Sequence, residues 1–299
     1  MRVYIAGCGG MLGKAVYEYF SARAEVKASD INLTAPWLEY ADVRDYRDAY
    51  ESAARFKPDL IVNLAALTDL EECEACKVNA RRTNSIGAEN LSLAALCLGA
   101  DIVYISTAGT VDGEKDSYSD ADMADPQHPV SVYGQTKYDG QIRTAFTTSR
   151  HFIFRPGWMM GGGPLLDKKF VNKVYKQIKA GEKIIYAVDD KLGTPTYTKA
   201  FAAQMWKVIE TGQYGSYNTV CHGSGSRYDV AVEFVRLLGV DVEVVKVDSS
   251  HFAKDYTAPR PRSEKLVNSR LQARGLDIMP DWKDALAEYV EEFKGDLNK

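Results

Sequence analysis

Residues 3–20 of the chain read Val3-Tyr4-Ile5-Ala6-Gly7-Cys8-Gly9-Gly10-Met11-Leu12-Gly13-Lys14-Ala15-Val16-Tyr17-Glu18-Tyr19-Phe20. A short strand-like run is followed by a glycine-rich loop and then by a helical pattern, which is the context that gives a glycine pattern meaning. Glycines at this spacing let the strand turn sharply, let the backbone approach a diphosphate and let the helix pack close to the sheet. The helix N-terminus then offers free N–H groups to an anion. The stretch therefore predicts a dinucleotide-binding loop.

The first half of the chain continues this alternation of short β-branched runs and helical patterns. The strand-like segments are Val3–Ala6, Val26–Ser29, Leu60–Val62, Ile102–Ile105 and Phe152–Phe154. The helical patterns begin near Leu12, Tyr46, Asn84 and Val132. Alternating strands and helices joined by right-handed crossovers build a parallel sheet with helices on both faces. We predict an α/β fold with a Rossmann-like doubly wound parallel sheet.

The regular alternation breaks after Arg155, at Pro156-Gly157 and again at Gly161-Gly162-Gly163-Pro164. We therefore predict a dinucleotide-binding domain over residues 1–157. Residues 158–299 are predicted to form mainly a smaller α/β substrate-binding lobe, with some segments returning to the first domain. Its helix-like segments are Phe170–Lys179, Lys199–Glu210, Tyr228–Leu238 and Asp281–Phe293, the last with Asp281 as N-cap, and its strand-like segments are Lys183–Val188 and Tyr217–Val220.

Composition excludes several classes of protein. The chain has 299 residues, 37 basic against 41 acidic, and no dense basic patch, which argues against a nucleic-acid surface. No apolar stretch approaches the ~20 residues that cross a bilayer, and no signal-peptide pattern opens the chain, so we predict a cytoplasmic protein without a membrane partner. Five cysteines, an odd number, indicate reduced thiols. Cys73 and Cys76 form a C-x-x-C, but two thiols on a helical turn are the ordinary interpretation, and we predict no metal site.

Asp30 ends the second predicted strand, 17 residues after Gly13. A carboxylate there reaches the ribose hydroxyls of an adenosine and repels a 2′-phosphate, which favours NADH mildly over NADPH. Lys27 and Arg44 could still accommodate NADPH. The ordinary alternative for Asp30 is a carboxylate that caps a turn.

Two further segments are expected beside the cofactor. Asp42-Val43, at the end of the predicted third strand, lies where an adenine is read, and Asn63-Leu64-Ala65-Ala66 ends the fourth strand with small residues that permit backbone contact. The predicted cofactor contacts are Gly7, Gly10, Met11, Leu12, Gly13, Asp30, Asp42, Val43, Leu64, Ala65, Ala66, Tyr133 and Lys137.

Tyr133 and Lys137 stand four residues apart, so on a helix their side chains share a face. A nearby ammonium lowers the pKa of a phenol from its ordinary value of about 10, which makes Tyr133 a competent proton donor. The helix follows the strand that ends at Thr107, so hydroxyl, phenol and ammonium converge at the carboxyl edge of the sheet. Tyr175 and Lys179 repeat the spacing without a matching hydroxyl, and we interpret them as a helix-surface pair. Thr107, Tyr133 and Lys137 are the predicted catalytic residues.

With these motifs in this order, the chain resembles the extended short-chain dehydrogenase/reductases and, more narrowly, the dTDP-4-dehydrorhamnose reductase family. The resemblance spans nearly the whole chain. It rests further on Pro58-Asp59-Leu60-Ile61-Val62-Asn63-Leu64-Ala65-Ala66-Leu67-Thr68, Val111-Asp112-Gly113, Pro129-Val130-Ser131-Val132-Tyr133-Gly134-Gln135-Thr136-Lys137, Arg155-Pro156-Gly157-Trp158, Gly193-Thr194-Pro195-Thr196, Arg260-Pro261-Arg262 and Asn268-Ser269-Arg270-Leu271.

Members of that family reduce the 4-keto group of a nucleotide-activated deoxysugar with NADH or NADPH, so the resemblance implies an NAD(P)-dependent oxidoreductase. It also implies that Tyr133 protonates the carbonyl oxygen and that Lys137 binds the nicotinamide ribose and lowers the Tyr133 pKa. The substrate contacts that it implies are Thr68, Thr107, Trp158, Thr196 and Arg262.

Two of these substrate residues have ordinary alternatives, since Trp158 also suits packing between lobes and Arg262 also suits a solvated loop. The resemblance further suggests a homodimer, because dimers are usual in the superfamily.

The sequence departs from the family pattern in two places. Where the family usually has Ser-Thr-Asp-Tyr-Val-Phe, this chain reads Ser106-Thr107-Ala108-Gly109-Thr110-Val111, without an acidic and an aromatic side chain beside the reacting carbon. Asp69-Leu70-Glu71-Glu72 stands where the family tends to place a lysine after an aspartate.

Two alternative functions therefore stay open. One is a nucleotide-sugar epimerase or dehydratase that reoxidises its cofactor within each turnover. The other is a non-catalytic nucleotide-binding regulatory subunit, because the β subunit of methionine adenosyltransferase has a similar architecture and a fold alone does not specify chemistry.

Overall fold

The computed structural model describes residues 1–297, so the last two residues of the predicted second lobe lie outside the described part. Its elements up to residue 157 follow the predicted alternation. In chain order they are β1 (Arg2–Ala6), α1 (Met11–Ser21), β2 (Glu25–Asp30), β3 (Leu38–Tyr40), α2 (Tyr46–Phe56), β4 (Leu60–Asn63), α3 (Leu70–Ala75), α4 (Lys77–Arg81), a π-helical turn (Arg82–Ile86), α5 (Gly87–Leu98), β5 (Asp101–Ile105), two 3₁₀ turns (Ala108–Thr110 and Asp122–Ala124), α6 (Val132–Thr147) and β6 (His151–Arg155).

Shorter strands dominate the remainder of the chain. They and the helices between them are β7 (Trp158–Met160), α7 (Gly163–Leu166), α8 (Phe170–Lys179), β8 (Ile184–Val188), β9 (Leu192–Gly193), β10 (Pro195–Tyr197), α9 (Thr198–Glu210), β11 (Gly215–Asn218), β12 (Gly225–Ser226), α10 (Arg227–Leu238), β13 (Glu243–Val247), a 3₁₀ turn (Ser249–Phe252), β14 (Ser263–Glu264), α11 (Ser269–Ala273) and α12 (Trp282–Leu297).

Seven strands form one sheet in the order β11-β6-β5-β4-β1-β2-β3. All neighbouring pairs in this sheet run parallel. The chain moves outward from β1 through β2 to β3 and then returns to β4 on the other side of β1. The carboxyl ends of β1 and β4 therefore flank the switch point, where ligands of doubly wound sheets bind. The predicted Rossmann-like fold is confirmed.

Three smaller sheets follow: β10-β7, β12-β9-β14 and β13-β8. Helices α8, α10 and α12 pack around their own hydrophobic core, which includes Val174, Phe234 and Leu286. Tyr175 is 1% exposed in this core, with its ring 4.7 Å from that of Phe293. The prediction of a surface pair at Tyr175 was therefore wrong, because the apolar face of α8 includes this residue.

Two details of the first sheet also differ from the sequence predictions. β3 ends at Tyr40, so Asp42 and Val43 lie in the following loop rather than at the end of a strand. The helix expected from Asn84 runs through the π-helical turn into α5. At the far end of the chain the predicted cap is present, because Asp281 Oδ1 accepts a hydrogen bond of 2.8 Å from the Lys283 N–H.

Helix N-termini differ in a way that bears on function. Asp45 caps α2 and Ser131 caps α6, each with a side-chain oxygen that accepts from backbone N–H groups of the first turn. Gly10, at the same position before α1, has no side chain to do this. The first N–H groups of α1 are thus left for another acceptor.

Within residues 1–297, no helix is long and apolar enough to span a bilayer. The same range holds no group of three or more His, Cys, Asp and Glu side chains arranged to bind a metal ion. Cys73 is buried and Cys76 is exposed.

Candidate functional site

A cavity of about 1510 Å³ runs from the glycine loop, across the carboxyl edge of the sheet, to the small strands of the second half. Most of the predicted site residues line it. They are Gly7, Gly10, Met11, Leu12, Gly13, Asp30, Asp42, Val43, Leu64, Ala65, Ala66, Thr68, Thr107, Tyr133, Lys137 and Trp158. We refer to the part lined by residues 7–13 as the glycine-loop end, and to the part lined by Trp158, Lys169, Arg227, Arg260 and Glu264 as the Trp158 end.

The glycine loop is built by close backbone contacts. Gly7 has a φ of +76°, and a Cβ there would lie 2.3 Å from the backbone of Ala65. A Cβ on Gly13 would lie 2.1 Å from the carbonyl oxygen of Cys8. A Cβ on Gly10 would meet nothing within 4 Å. The loop is therefore tight on the protein side and open in front of α1, where a diphosphate would accept from the uncapped N–H groups.

Ser106 lines the cavity just beyond β5. It is 2% exposed, and its Oγ has no hydrogen-bond partner in the described part of the chain. A buried hydroxyl without a partner is costly to keep. Together with the open space before α1, this atom fits a bound polar ligand such as a dinucleotide.

Asp30 lies beside the glycine loop, and both of its carboxylate oxygens already accept hydrogen bonds from the backbone. Its Oδ2 accepts from the Gly9 N–H and its Oδ1 from the Asn32 N–H, each at 2.8 Å. The ordinary alternative, a carboxylate that caps a turn, is thus present, while the side chain still lines the cavity.

Lys27 and Arg44, the two cations that could accommodate NADPH as cofactor, differ in position. Lys27 pairs with Glu39 at 2.9 Å and is not part of the cavity wall. Arg44 does line the cavity, where it pairs with Asp42 at 2.7 Å. Hydrogen bonding by the Arg44 guanidinium lowers the pKa of Asp42 below its ordinary value.

The predicted catalytic side chains do come together. Thr107 follows β5, and its Oγ1 accepts from the Gly109 N–H at 3.1 Å and hydrogen-bonds with the Tyr133 side chain. Tyr133 lies in the first turn of α6, one turn before Lys137, and Ser131 fixes that turn by capping it. Phenol, hydroxyl and amine thus line one stretch of the cavity wall.

The electrostatics of this group differ from the sequence prediction. Burial raises the pKa of Tyr133 to about 12, and the hydrogen bond with Thr107 only offsets part of that effect. Burial also lowers the pKa of Lys137 to about 7, since its ammonium is 3% exposed and faces the Tyr104 ring, 4.3 Å from the centroid. The lowering of the Tyr133 pKa by Lys137 is not seen, because desolvation sets the direction of the shift and Lys137 is not among the groups that act on Tyr133. Tyr133 therefore holds its proton at neutral pH, as a proton donor must.

Trp158 combines its two predicted roles. Its ring lines the cavity, and it also packs against Gly193, where a Cβ would lie 2.2 Å from the ring. The guanidinium of Arg227 lies over the ring at 3.7 Å from its centroid, and the indole Nε1–H donates to Glu264 Oε2 at 2.7 Å. The indole is thus fixed by contacts with several segments.

Two predicted substrate residues do not reach the cavity. Thr196 is fully buried, and its Oγ1 accepts from the Gly157 N–H at 3.1 Å, which ties β10 to the segment before β7. Arg262 is exposed, and its Nη2 lies 3.4 Å from the Glu114 carbonyl oxygen. Thr196 lies in the three-residue strand β10, where alternate side chains point to opposite sides, and Arg262 lies in the loop before β14.

Several wall residues escaped the sequence analysis. Arg260, two positions before Arg262, lines the cavity, as do Lys169, Arg227 and Glu264. Lys169 Nζ donates to Thr68 Oγ1 at 3.0 Å, which joins the two halves of the wall. The Arg260-Pro261-Arg262 motif pointed to the correct loop, but Arg227 and Glu264 stand in no recognisable motif.

The acidic segment at residues 69–72, which departs from the family pattern, has a structural role. Asp69 caps α3, because its Oδ1 accepts from the Glu72 N–H at 3.0 Å. Glu71 pairs with Arg260 at 3.0 Å. Glu71 of this segment thus holds Arg260, one of the cations of the Trp158 end, in place.

The chain matches a known family over almost its whole length. The family model described as the RmlD substrate binding domain matches residues 1–294. A dTDP-4-dehydrorhamnose reductase of Streptomyces griseus is 30% identical over 294 residues, which is 96% of this chain and 92% of that protein.

Solved structures agree closely with the fold. A crystal structure of a dTDP-4-dehydrorhamnose reductase from Clostridium acetobutylicum has a TM-score of 0.88 and 32% identity, and covers 97% of this chain and 99% of that one. A dTDP-4-dehydrorhamnose reductase from Bacillus anthracis, in complex with NADP, has a TM-score of 0.89 and 27% identity with the same coverage.

Proposed function

The chain belongs to the RmlD substrate-binding-domain family, that of the dTDP-4-dehydrorhamnose reductases, and from this premise we propose that it reduces the 4-keto group of a nucleotide-activated deoxysugar. It is an NAD(P)-dependent oxidoreductase that acts on a nucleotide sugar. The observation that carries the proposal is the convergence of Thr107, Tyr133 and Lys137 in the cavity that also contains the glycine loop.

The residues of the glycine-loop end would hold the dinucleotide, with its diphosphate before α1 and its ribose groups toward Asp30 and Lys137. A bound reduced nicotinamide supplies the hydride for the carbonyl carbon. Tyr133 gives its proton to the carbonyl oxygen, and its raised pKa keeps that proton in place until negative charge develops on the substrate. Thr107 stabilises the same oxygen by hydrogen bonding. Lys137 orients the cofactor ribose and, when charged, favours the phenolate that remains.

The Trp158 end suits the nucleotide part of the substrate. Lys169, Arg227 and Arg260 line it, and cations of this kind bind diphosphates. We propose residues 158–299 as mainly the substrate lobe and 1–157 as the dinucleotide domain. β11 and α9 support the predicted return of later segments, since β11 pairs with β6 and α9 packs against α1.

The comparisons do not favour the two alternatives. The relatives described above, which are 27 to 32% identical to this chain, bear the name of a reductase rather than that of an epimerase or a regulatory subunit. A nicotinamide cofactor follows from the family, whereas the NADH preference stays a prediction: Asp30 favours it, and the Bacillus anthracis relative contains NADP. The homodimer and the cytoplasmic location also stay predictions.

The function is tested by incubating the pure protein with NADH or NADPH and a panel of nucleotide-linked 4-keto sugars, while the absorbance of the reduced nicotinamide is followed. We expect one cofactor consumed for each sugar reduced. An epimerase or dehydratase would convert sugar without net consumption. Measurable cofactor binding without turnover of any sugar would contradict the proposal and favour the regulatory alternative.

A further inference from the structure

The carboxyl group of Glu264 lies in the cavity wall at the Trp158 end, next to the catalytic group. β14 delivers it, since Glu264 pairs in register with Gly193 of β9. The side chain lines the cavity. Its Oε2 accepts the 2.7 Å hydrogen bond from Trp158 Nε1–H, which fixes the direction of the carboxylate.

The other oxygen of Glu264 faces the catalytic side chains across Gly109. A Cβ placed on Gly109 would lie 3.2 Å from Glu264 Oε1, 3.6 Å from Thr107 Oγ1 and 3.7 Å from Tyr133 Cε1. Three polar or aromatic groups from separate segments thus surround one point. Because residue 109 has no side chain, no protein atom fills that point between the three groups.

Glu264 Oε1 has acceptor capacity to spare. The Trp158 bond is the one hydrogen bond of the Glu264 side chain within residues 1–297, and no Lys or Arg nitrogen in that range approaches it within 4 Å. Burial raises the pKa of Glu264, as expected of a carboxyl group with few donors around it. A donor from the ligand would remove this cost.

The charges around Glu264 select the type of donor. Arg227, Arg260 and Lys191 all act on the carboxyl group from the Trp158 end. Their positive charge would repel an ammonium group brought to the same place. A neutral hydroxyl gains the hydrogen bond without that repulsion.

We propose that Glu264 is a specificity-determining residue, whose Oε1 accepts a hydrogen bond from a sugar hydroxyl on the ring carbon next to the carbonyl that Tyr133 protonates. The inference rests on the proposed function, because it takes that carbonyl to lie against Thr107 and Tyr133. It names one feature of the substrate that the sequence left open: a free hydroxyl at C3 of the 4-keto sugar.

Glu264→Gln is the sharpest variant. The glutamine carbonyl still accepts from Trp158, so the indole keeps its partner, while the amide NH₂ replaces the acceptor that faces Thr107. Glu291→Gln is the matched control, because Glu291 pairs with Lys294 on the surface of α12, far along the chain from the cavity wall.

The experiment compares two nucleotide-linked 4-keto sugars that differ in the presence of the 3-hydroxyl. We expect Glu264→Gln to lower kcat/KM for the hydroxyl sugar by about 10- to 100-fold, as for loss of a hydrogen bond to a charged group, and to leave the 3-deoxy sugar within about threefold. Equal loss on both sugars would show that Glu264 only positions Trp158. An unchanged kcat/KM for the hydroxyl sugar would also overturn the inference.

A binding measurement separates this inference from the proposed function. Calorimetric titration of the parent and of Glu264→Gln with the reduced, 3-hydroxyl nucleotide sugar, in the presence of oxidised cofactor, should show the same 10- to 100-fold loss of affinity. If the parent reduces neither keto sugar, the proposed function fails, and the titration still decides whether Glu264 holds the hydroxyl. Equal affinities of parent and variant would reject the contact.

Discussion

The two ends of the cavity are built from different materials. The glycine-loop end is made of backbone: a strand, a tight loop and an uncapped helix that are contiguous in sequence. The Trp158 end is made of long side chains from β7, α10, β14, the residue before α8 and the loop before β14, and ion pairs and ring contacts hold it together. The first end recognises a group common to many ligands. The second is defined by side chains, which substitution can change one at a time.

The largest expected effect is at the boundary between the ends. Tyr133→Phe removes the proton donor, and we expect kcat to fall by about 10²- to 10⁴-fold, the usual contribution of general acid catalysis. Affinity for NADPH, measured by fluorescence titration, should stay near that of the parent. Equal turnover of variant and parent would reject Tyr133 as the acid.

The backbone character of the glycine-loop end is tested by a pair of alanine variants. Gly7→Ala forces a Cβ against the Ala65 backbone at a positive φ, so we expect the free energy of unfolding to fall by about 3 kcal/mol. Gly10→Ala meets no protein atom, so its unfolding should change by less than about 1 kcal/mol, while affinity for the dinucleotide falls. Chemical denaturation and cofactor titration measure both. Matching unfolding curves for the two variants would contradict the described loop.

Lys137 gives a pH dependence with a defined sign. Its folded pKa of about 7 lies below the ordinary value of 10.5, so the unfolded state binds one more proton between these limits. Stability therefore rises with pH across this window and is lost as pH falls through about 7, with a slope of at most about 1.4 kcal/mol per unit.

Denaturant unfolding at pH 7.5 and pH 9 checks this prediction. Lys137→Met should remove the increase, because it has no proton to release. The same increase in parent and variant would assign the effect to other groups.

The smallest expected effect concerns the ion pair that holds Arg260 at the Trp158 end. Glu71→Gln breaks the ion pair with Arg260, in which both side chains are about one-third exposed, so stability should change by less than about 1 kcal/mol. We expect KM for the nucleotide sugar to rise about threefold, because Arg260 loses one constraint, while cofactor affinity is unchanged. Glu51→Gln, which breaks the surface pair with Arg47, is the control. A fall in cofactor affinity would mean that the two ends are coupled.

The contrast between the two ends of the cavity also explains which parts of the site could be predicted from the sequence. The glycine loop, the strand order and Tyr133 with Lys137 were predicted because their signals are local and periodic. The positions of Thr196, in the three-residue β10, and of Arg262, in the loop before the two-residue β14, were not, because segments this short leave no periodic pattern. The pKa of Tyr133 was predicted in the wrong direction, since burial depends on tertiary packing that spacing does not reveal.

Glu264 shows the limit most clearly. Its place beside Gly109 arises from pairing between β14 and β9, which joins distant parts of the chain. The gap at Gly109 was visible in the sequence, whereas the side chain that borders it was not. Where a motif lacks a side chain, the groups that border its position can thus come from segments distant in sequence.

The parallel sheet closes on one side with β11, whose Asn218 meets Arg155 of β6 from 63 residues further along the chain. On a ribosome that adds about 5–20 residues per second, β6 would wait roughly 3 to 13 s for this neighbour. During that interval the nascent chain presents an uncovered strand edge, a template for intermolecular pairing. A chain truncated after residue 157 lacks β11, so the edge of β6 would stay uncovered. Expression of this amino-terminal segment alone should therefore yield aggregates rather than a smaller nucleotide-binding protein.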